Sequence, residues 1–376
     1  MISCGEPSGD LYAGALVAAL RRREPDIDVF GLGGAQLQAA GGRLIANFDG
    51  LSVTGLTEVL RVLPRSWATM KALVQSAHAE QPDALVVIDY PDFNFRLMAA
   101  VKRLGVPVIY YVSPQLWAWR AGRIKTMKKL VDCVLPIFPF EEAIYRRENM
   151  DVRFVGHPLV DLARPSRSRE EFLRGLHLDP ARPVVAMLPG SRPNELARLA
   201  PVMVEAAPLV ARQVPHAQFI IARAPHLADS LFEGFGLPGV TVRIVEGQTD
   251  DVLNASDAVV TASGTATVQT ALHGKPMVML YKLSPMTYRL GKPLARVDMY
   301  AMVNLIAGER VVVELIQDAC TGEAAAAETV KLLTNPEYRQ RMSGKIAEVR
   351  SRLGGPGASD RAADAVLHVV HSEHVA

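Results

Sequence analysis

Short apolar runs alternate with longer helical segments along most of the chain. Met1–Cys4, Val29–Gly33, Ala84–Asp89, Val106–Val112, Cys133–Phe138 and Val152–Val155 read as strands, with helical stretches such as Asp10–Arg23 and Phe95–Leu104 between them. Strands that are apolar throughout and alternate with helices predict a parallel sheet covered on both faces. A polar segment rich in Pro and Arg, DLARPSRSREEF (Asp161–Phe172), then interrupts the pattern and reads as a domain connection. The alternation restarts at Pro183–Leu188 and runs through Gln218–Ala222, Val240–Val245, Asp257–Thr261 and Pro276–Tyr281. A helix is expected to open near Pro193 and Asn194, because Pro suits a first helical turn. From about Ala324 the chain reads as helix alone, broken at Gly354–Gly357. The pattern therefore predicts an α/β protein of two doubly wound, Rossmann-like domains, residues 1–160 and 161–350, with a C-terminal helix at 351–376. Two such domains on a short linker predict a central cleft, and open sheets bind ligands beyond the carboxyl ends of their strands.

Composition narrows the partners. A chain of 376 residues that is 49% hydrophobic has enough apolar material for two cores. A formal net charge of +2 argues against nucleic acid. Cys4, Cys133 and Cys320 are far apart and form no CxxC pair, which argues against a zinc site or disulfide framework and suits a reducing cytosol. The longest uncharged stretches carry Pro107 and Pro114, or several Ser and Thr, and neither reads as a membrane span. The chain opens directly on a strand pattern, so no signal peptide is expected. One basic run, Arg120, Arg123, Lys125, Lys128 and Lys129, is either a solvated helix face or an attraction for an anionic surface or phosphorylated ligand.

Candidate chemistry sits where the strand patterns end. GEPSGD (Gly5–Asp10) looks like a nucleotide loop but fits neither G-x-G-x-x-G nor a Walker loop. Asp89 closes ALVVID, and Ser113 with Pro114 closes VIYYV. Gly190, Ser191 and Arg192 follow VVAML, while Ser263, Gly264 and Thr265 follow AVVTA.

GEPSGDLYAGALVAAL, IDYPDFN, YVSPQLWAWR, FVGHPLVD, LPGSRPNEL, ASGTATVQTALHGKPMV and NLIAGERVVVELIQ occur in that order. Together, over nearly the whole chain, they resemble the lipid-A-disaccharide synthase family, glycosyltransferases of the GT-B fold. The resemblance implies a UDP-2,3-diacylglucosamine donor and a 2,3-diacylglucosamine 1-phosphate acceptor, joined by a β-1,6 bond with release of UDP. It implies no metal, and the sequence offers no ligand cluster. It also implies a peripheral enzyme on the cytoplasmic face of the Gram-negative inner membrane. Two readings compete: another GT-B UDP-sugar enzyme such as a 2-epimerase, and a non-catalytic nucleotide- or lipid-binding homologue.

The reaction assigns tasks. An attacking hydroxyl must lose a proton, and a carboxylate beside it can take it. Asp89 matches the family's proposed base; Asp92 is the rival, and either could instead cap a helix. The departing diphosphate needs fixed donors. Gly190, Ser191 and Arg192 at a helix N-terminus would supply them, Arg192 as a planar fork. Ser263, Gly264 and Thr265 would hold the other end of the nucleotide. Gln269 stands where the family has an acidic residue on the ribose hydroxyls, so the charge-assisted part of that contact is lost. Ser8 is expected near the acceptor or sugar, with Glu6 undecided and Asp10 capping the helix Leu11–Arg23. Asn304 matches a polar residue near the family's active site, although Val303 replaces the usual Pro before it; a buried, backbone-satisfied Asn is the alternative. His157 reads as a hinge residue more readily than an acid.

For the acyl chains, Gly50–Val74 is suggestive. Leu60, Leu63, Trp67, Met70 and Val74 form a stripe expected to pack on the core. Val53, Leu56, Val59 and Val62, beside Arg61 and Arg65, fit an interfacial segment. Pro64 is expected to break or start the helix. The C-terminal tail either crosses back to the first domain or exchanges between subunits of a homodimer.

Overall fold

The computed structural model describes residues 1–49, 56–116, 121–225, 227–284, 288–289 and 298–373. The chain divides into two compact units, Met1–Asp161 with Leu353–Ala376, and Leu162–Arg352.

The first unit carries β1 (Ile2–Cys4), β2 (Phe30–Gly33), β3 (Arg43–Asn47), β4 (Leu85–Ile88), β5 (Val108–Tyr111) and β6 (Cys133–Leu135). They form one parallel sheet in the order β3-β2-β1-β4-β5-β6. The central strands β1, β4 and β5 are buried along their whole length, as strands covered on both faces must be. The second unit repeats the design with β7 (Val184–Leu188), β8 (Gln218–Arg223), β9 (Thr241–Glu246), β10 (Ala258–Ala262), β11 (Met277–Tyr281) and β12 (Val313–Ile316). Its order is β12-β11-β10-β7-β8-β9, again parallel.

Three local expectations need correction. Val152–Val155 forms only a single bridge, Val152 to Val134, and no strand. Pro64 neither breaks nor starts a helix: Leu56–Glu80 runs through it. The expected core stripe on that helix is rotated. Leu73 and Ala77 are fully buried, Met70 and Val74 pack at the margin of the core, and Trp67 is 66% exposed. Val53 lies outside the described residues.

The first unit is completed by the end of the chain. The His157 N–H donates to the Leu353 carbonyl at 2.8 Å, and the Arg361 Nε donates to the Val155 carbonyl at 2.8 Å. The Asp161 carboxylate caps the last helix, accepting from the Gly357 and Ala358 N–H groups at 2.8 and 3.1 Å. Gly156 and Gly354 meet there; a Cβ on Gly354 would lie 3.0 Å from the Gly156 Cα. The helix Ala358–Glu373 then packs along Pro7–Arg23 of the same chain, with Arg22 and Arg23 paired to Asp360, and Arg23 also to Asp364.

Candidate functional site

Each sheet reverses its winding once. In the first unit the reversal lies between β1 and β4, and in the second between β7 and β10. Loops leaving the carboxyl ends of such neighbouring strands part to opposite sides and leave a crevice. The loops at the first switch point are Gly5–Asp10 and Asp89–Tyr90. Those at the second are Pro189–Arg192 and Ser263–Thr265.

At the first switch point, Gly5 lies under the Tyr90 ring. A Cβ there would fall 2.2 Å from Tyr90 Cδ1, so only glycine lets the two loops close on each other. Glu6 is the N-cap of the helix Pro7–Arg23, and Ser8 sits half-buried in its first turn. Asp10 does not cap this helix. Its carboxylate, only 4% exposed, reaches sideways and accepts from the N–H groups of Gly34, Gln36 and Leu37 at 2.7, 2.9 and 3.1 Å. Asp10 therefore caps the neighbouring helix Ala35–Ala39, whose own N-cap position, Gly34, has no side chain to do so.

Asp89 follows β4 directly, in the left-handed region at φ 46°, and Tyr90 comes next at φ 48°. Two consecutive non-glycine residues in this region cost about 1–2 kcal/mol each, so something must hold them. The Asp89 carbonyl accepts from Asn94 Nδ2 at 2.7 Å and from the Tyr110 hydroxyl at 2.9 Å. Asn94 is itself fully buried and accepts from the Ser3 hydroxyl at 2.7 Å. Val112, at the end of β5, is a third left-handed residue, φ 58°, and its carbonyl accepts from the Asp89 N–H at 3.3 Å. Strain gathered at strand ends is characteristic of functional sites. The rival carboxylate, Asp92, lies on the surface, 70% exposed, and pairs with Arg123 at 2.7 Å. Arg123 in turn stacks over Phe95, which gives one member of the basic run a local partner; Arg120 lies outside the described residues. Burial, with Glu6 and Asp92 nearby, pushes the Tyr90 phenol up to about 12.

At the second switch point, Gly190 has φ 113°, and a Cβ on it would lie 2.6 Å from Glu195 Oε2. The helix Pro193–Gln213 starts immediately afterwards with Pro at its first turn, as the pattern predicts. Glu195 folds back over that N-terminus, accepting from the Ser191 N–H at 3.3 Å and pairing with Arg192 at 3.1 Å. Both side chains are about one-third exposed, so the pair is within reach of an anion from solution.

Gly264, φ 112°, is the N-cap of the helix Thr265–Leu272 and offers it no side chain. No side chain caps this N-terminus, an end that favours an anion. Within its first turn the Thr267 N–H donates to the Gly264 carbonyl at 3.1 Å, the Thr265 side chain is exposed, and Ser263 donates to the Tyr300 carbonyl at 3.2 Å. One turn on, Gln269 donates to Asp250 at 2.8 Å, and His273 Nε2 lies 2.8 Å from the same oxygen. A carboxylate thus stands beside Gln269 although residue 269 itself carries none.

Asn304 is wholly engaged. Its amide donates to the Val312 carbonyl and Glu314, and its oxygen accepts from the Val311 and Val312 N–H groups, at 2.8–3.0 Å. It is fully buried and has no bonding capacity left for a substrate. His157 is likewise internal: its Nδ1 accepts from the Leu159 N–H at 3.2 Å, its ring packs on Tyr12 and Phe138, and burial lowers its pKa to about 3. Among the described residues no group of His, Cys, Asp and Glu is placed to hold a metal ion. No helix among them is long and apolar enough to cross a membrane.

Residues 1–369 match the family model for lipid-A-disaccharide synthetase. The lipid-A-disaccharide synthase of Geobacter metallireducens is 44% identical over 374 residues, 98% of this chain and 97% of that protein. Among solved structures, UDP-GlcNAc 2-epimerase from Neisseria meningitidis, bound to UDP-GlcNAc, superposes with a TM-score of 0.70 at 14% identity, covering 98% of both chains. MurG from Acinetobacter baumannii gives a TM-score of 0.57 at 13% identity, also covering 98% of both. At such identities the structures speak for the fold alone.

Proposed function

The chain belongs to the lipid-A-disaccharide synthase family, of GT-B fold, and from that premise we propose how its residues divide the work. It is a glycosyltransferase of lipid A disaccharide synthesis. The donor is UDP-2,3-diacylglucosamine and the acceptor 2,3-diacylglucosamine 1-phosphate. The acceptor 6-hydroxyl attacks the anomeric carbon as the bond to UDP breaks, with inversion. The hydroxyl proton goes to Asp89, and the bonding electrons leave with UDP.

The observation that carries Asp89 is its strained, doubly pinned position at the switch point of the first sheet. A side chain so placed is pre-aimed and needs no reorganisation during the reaction. Ser8, in the first turn of the neighbouring helix, hydrogen-bonds the acceptor or sugar. In the second unit the diphosphate meets Gly190, Ser191 and Arg192, and must compete with Glu195 for the Arg192 guanidinium. Gly264 and Thr265 present backbone N–H groups to the nucleotide, with Ser263 behind them. Gln269 contacts the ribose as an amide oriented by Asp250. Asn304 holds the backbone around Ala301–Val312 and touches no substrate. Trp67, with Arg65 and Lys71 exposed nearby, fits attachment to an anionic membrane surface.

The test is turnover of the diacylated UDP-sugar with the monosaccharide 1-phosphate, read as disaccharide and UDP formed. Asp89→Asn is expected to lower kcat by about a hundredfold or more with UDP affinity unchanged. Arg192→Ala is expected to weaken UDP binding by about tenfold to a hundredfold. Unaltered kcat in the first variant removes Asp89 as base; unaltered affinity in the second removes Arg192 from the diphosphate.

A further inference from the structure

Asn94 is a fully buried polar side chain that the reaction above does not use. It sits in the first full turn of the helix Pro91–Val101, five residues after Asp89. Its bonds fix its orientation. The Asp89 carbonyl can only accept, so the atom 2.7 Å from it is the amide nitrogen. The amide oxygen therefore faces the Ser3 hydroxyl, which donates to it at 2.7 Å, and the nitrogen's other near partner is the Ser3 carbonyl at 3.5 Å. Ser3 belongs to β1 and Asp89 follows β4, so one amide ties together the two strands at the switch point. It does so at the first of two consecutive left-handed residues, a backbone conformation that persists only where its surroundings hold it.

We infer that Asn94 is the positioning residue for the Asp89 carboxylate. By holding the Asp89 carbonyl, it keeps residues 89 and 90 left-handed, and that conformation sets where the Asp89 side chain points. Were the peptide to relax toward the extended region, the carboxylate would swing away while the sheet stayed intact. Tyr110 supplies a second donor to the same carbonyl, so loss of either one weakens the arrangement without abolishing it. This assignment rests on the reading of Asp89 as the base.

The experiment is a double-mutant cycle on the full chain, read as UDP release with the diacylated donor and monosaccharide 1-phosphate, alongside UDP affinity and thermal midpoint. Asn94→Ala is expected to lower kcat by about tenfold to a hundredfold while the UDP dissociation constant stays put. In an Asp89→Asn background the same change is expected to lower kcat no further, because the group it positions has gone. Tyr110→Phe keeps the core shape and removes only the second donor. It is expected to give a smaller fall of the same kind, and it stands in if Asn94→Ala does not fold. Multiplicative losses from Asn94→Ala (or Tyr110→Phe) and Asp89→Asn would overturn the inference and leave the base intact. An undiminished kcat in Asp89→Asn alone would overturn both.

Discussion

At the scale of single residues, the polar side chains divide by whether their bonding capacity is already spent. Asp10, Asn304 and His157 stand in or beside family motifs, yet each is used up inside the protein. From the sequence Asp10 already reads as a cap and His157 as a hinge residue. The helix that Asp10 caps is not the expected one, because its partners are backbone groups 24–27 residues away and no side-chain pattern announces them. His157 makes a measurable prediction. Its neutral form is favoured in the folded state, with a pKa of about 3 against 6.5 when exposed. Below 6.5 the unfolded chain takes up a proton that the folded one refuses. Stability from this group is therefore complete above about pH 6.5 and declines as pH falls toward 3. Urea midpoints of the first unit are expected to drop between pH 7 and pH 5, and His157→Asn is expected to flatten that slope.

At the scale of elements, the buried strands are legible because both faces are apolar, and two strands are hidden because theirs are not. β3 is an edge strand, and its polar ends Arg43 and Asn47 are exposed. β12 has Glu314 in its middle, a charge that breaks the apolar run; the carboxylate accepts from the Tyr300 and Ala301 N–H groups and from Asn304. The same limit applies to Leu56–Glu80. Spacing reveals an apolar stripe through Trp67, Met70 and Val74 but not which side of it meets the core, since Leu73, three residues after Met70, also fits the helical period. The structure separates them: Leu73 is fully buried and Trp67 66% exposed. Leu73→Ala is expected to cost about 2–5 kcal/mol. Trp67→Ser is expected to change stability by no more than about 0.5 kcal/mol while reducing co-sedimentation with anionic lipid vesicles. Chemical denaturation and vesicle binding, measured on both variants, distinguish a core position from a surface one.

At the scale of the whole molecule, each sheet reverses its strand order once, and the loops at those reversals are the ones that hold the candidate residues Asp89, Gly190–Arg192 and Ser263–Thr265; these loops were legible from strand ends alone. The ownership of the last helix was not, because its contacts with Pro7–Arg23 span sequence separations of 337–341 residues. Ending the chain after Arg352 is expected to leave amide protection in the second unit near its original level. The same truncation is expected to raise hydrogen exchange along Pro7–Arg23, where Leu16, Leu20 and their neighbours form the buried face. Equal loss of protection in both units would refute this. The interrupted first unit also imposes an order of events on the ribosome. Its six strands emerge first, but Ala358–Glu373 is translated only after the entire second unit, which is continuous and can fold as it emerges. Until then Pro7–Arg23 waits with its outer face uncovered. The part of the protein that carries Asp89 is begun first and finished last.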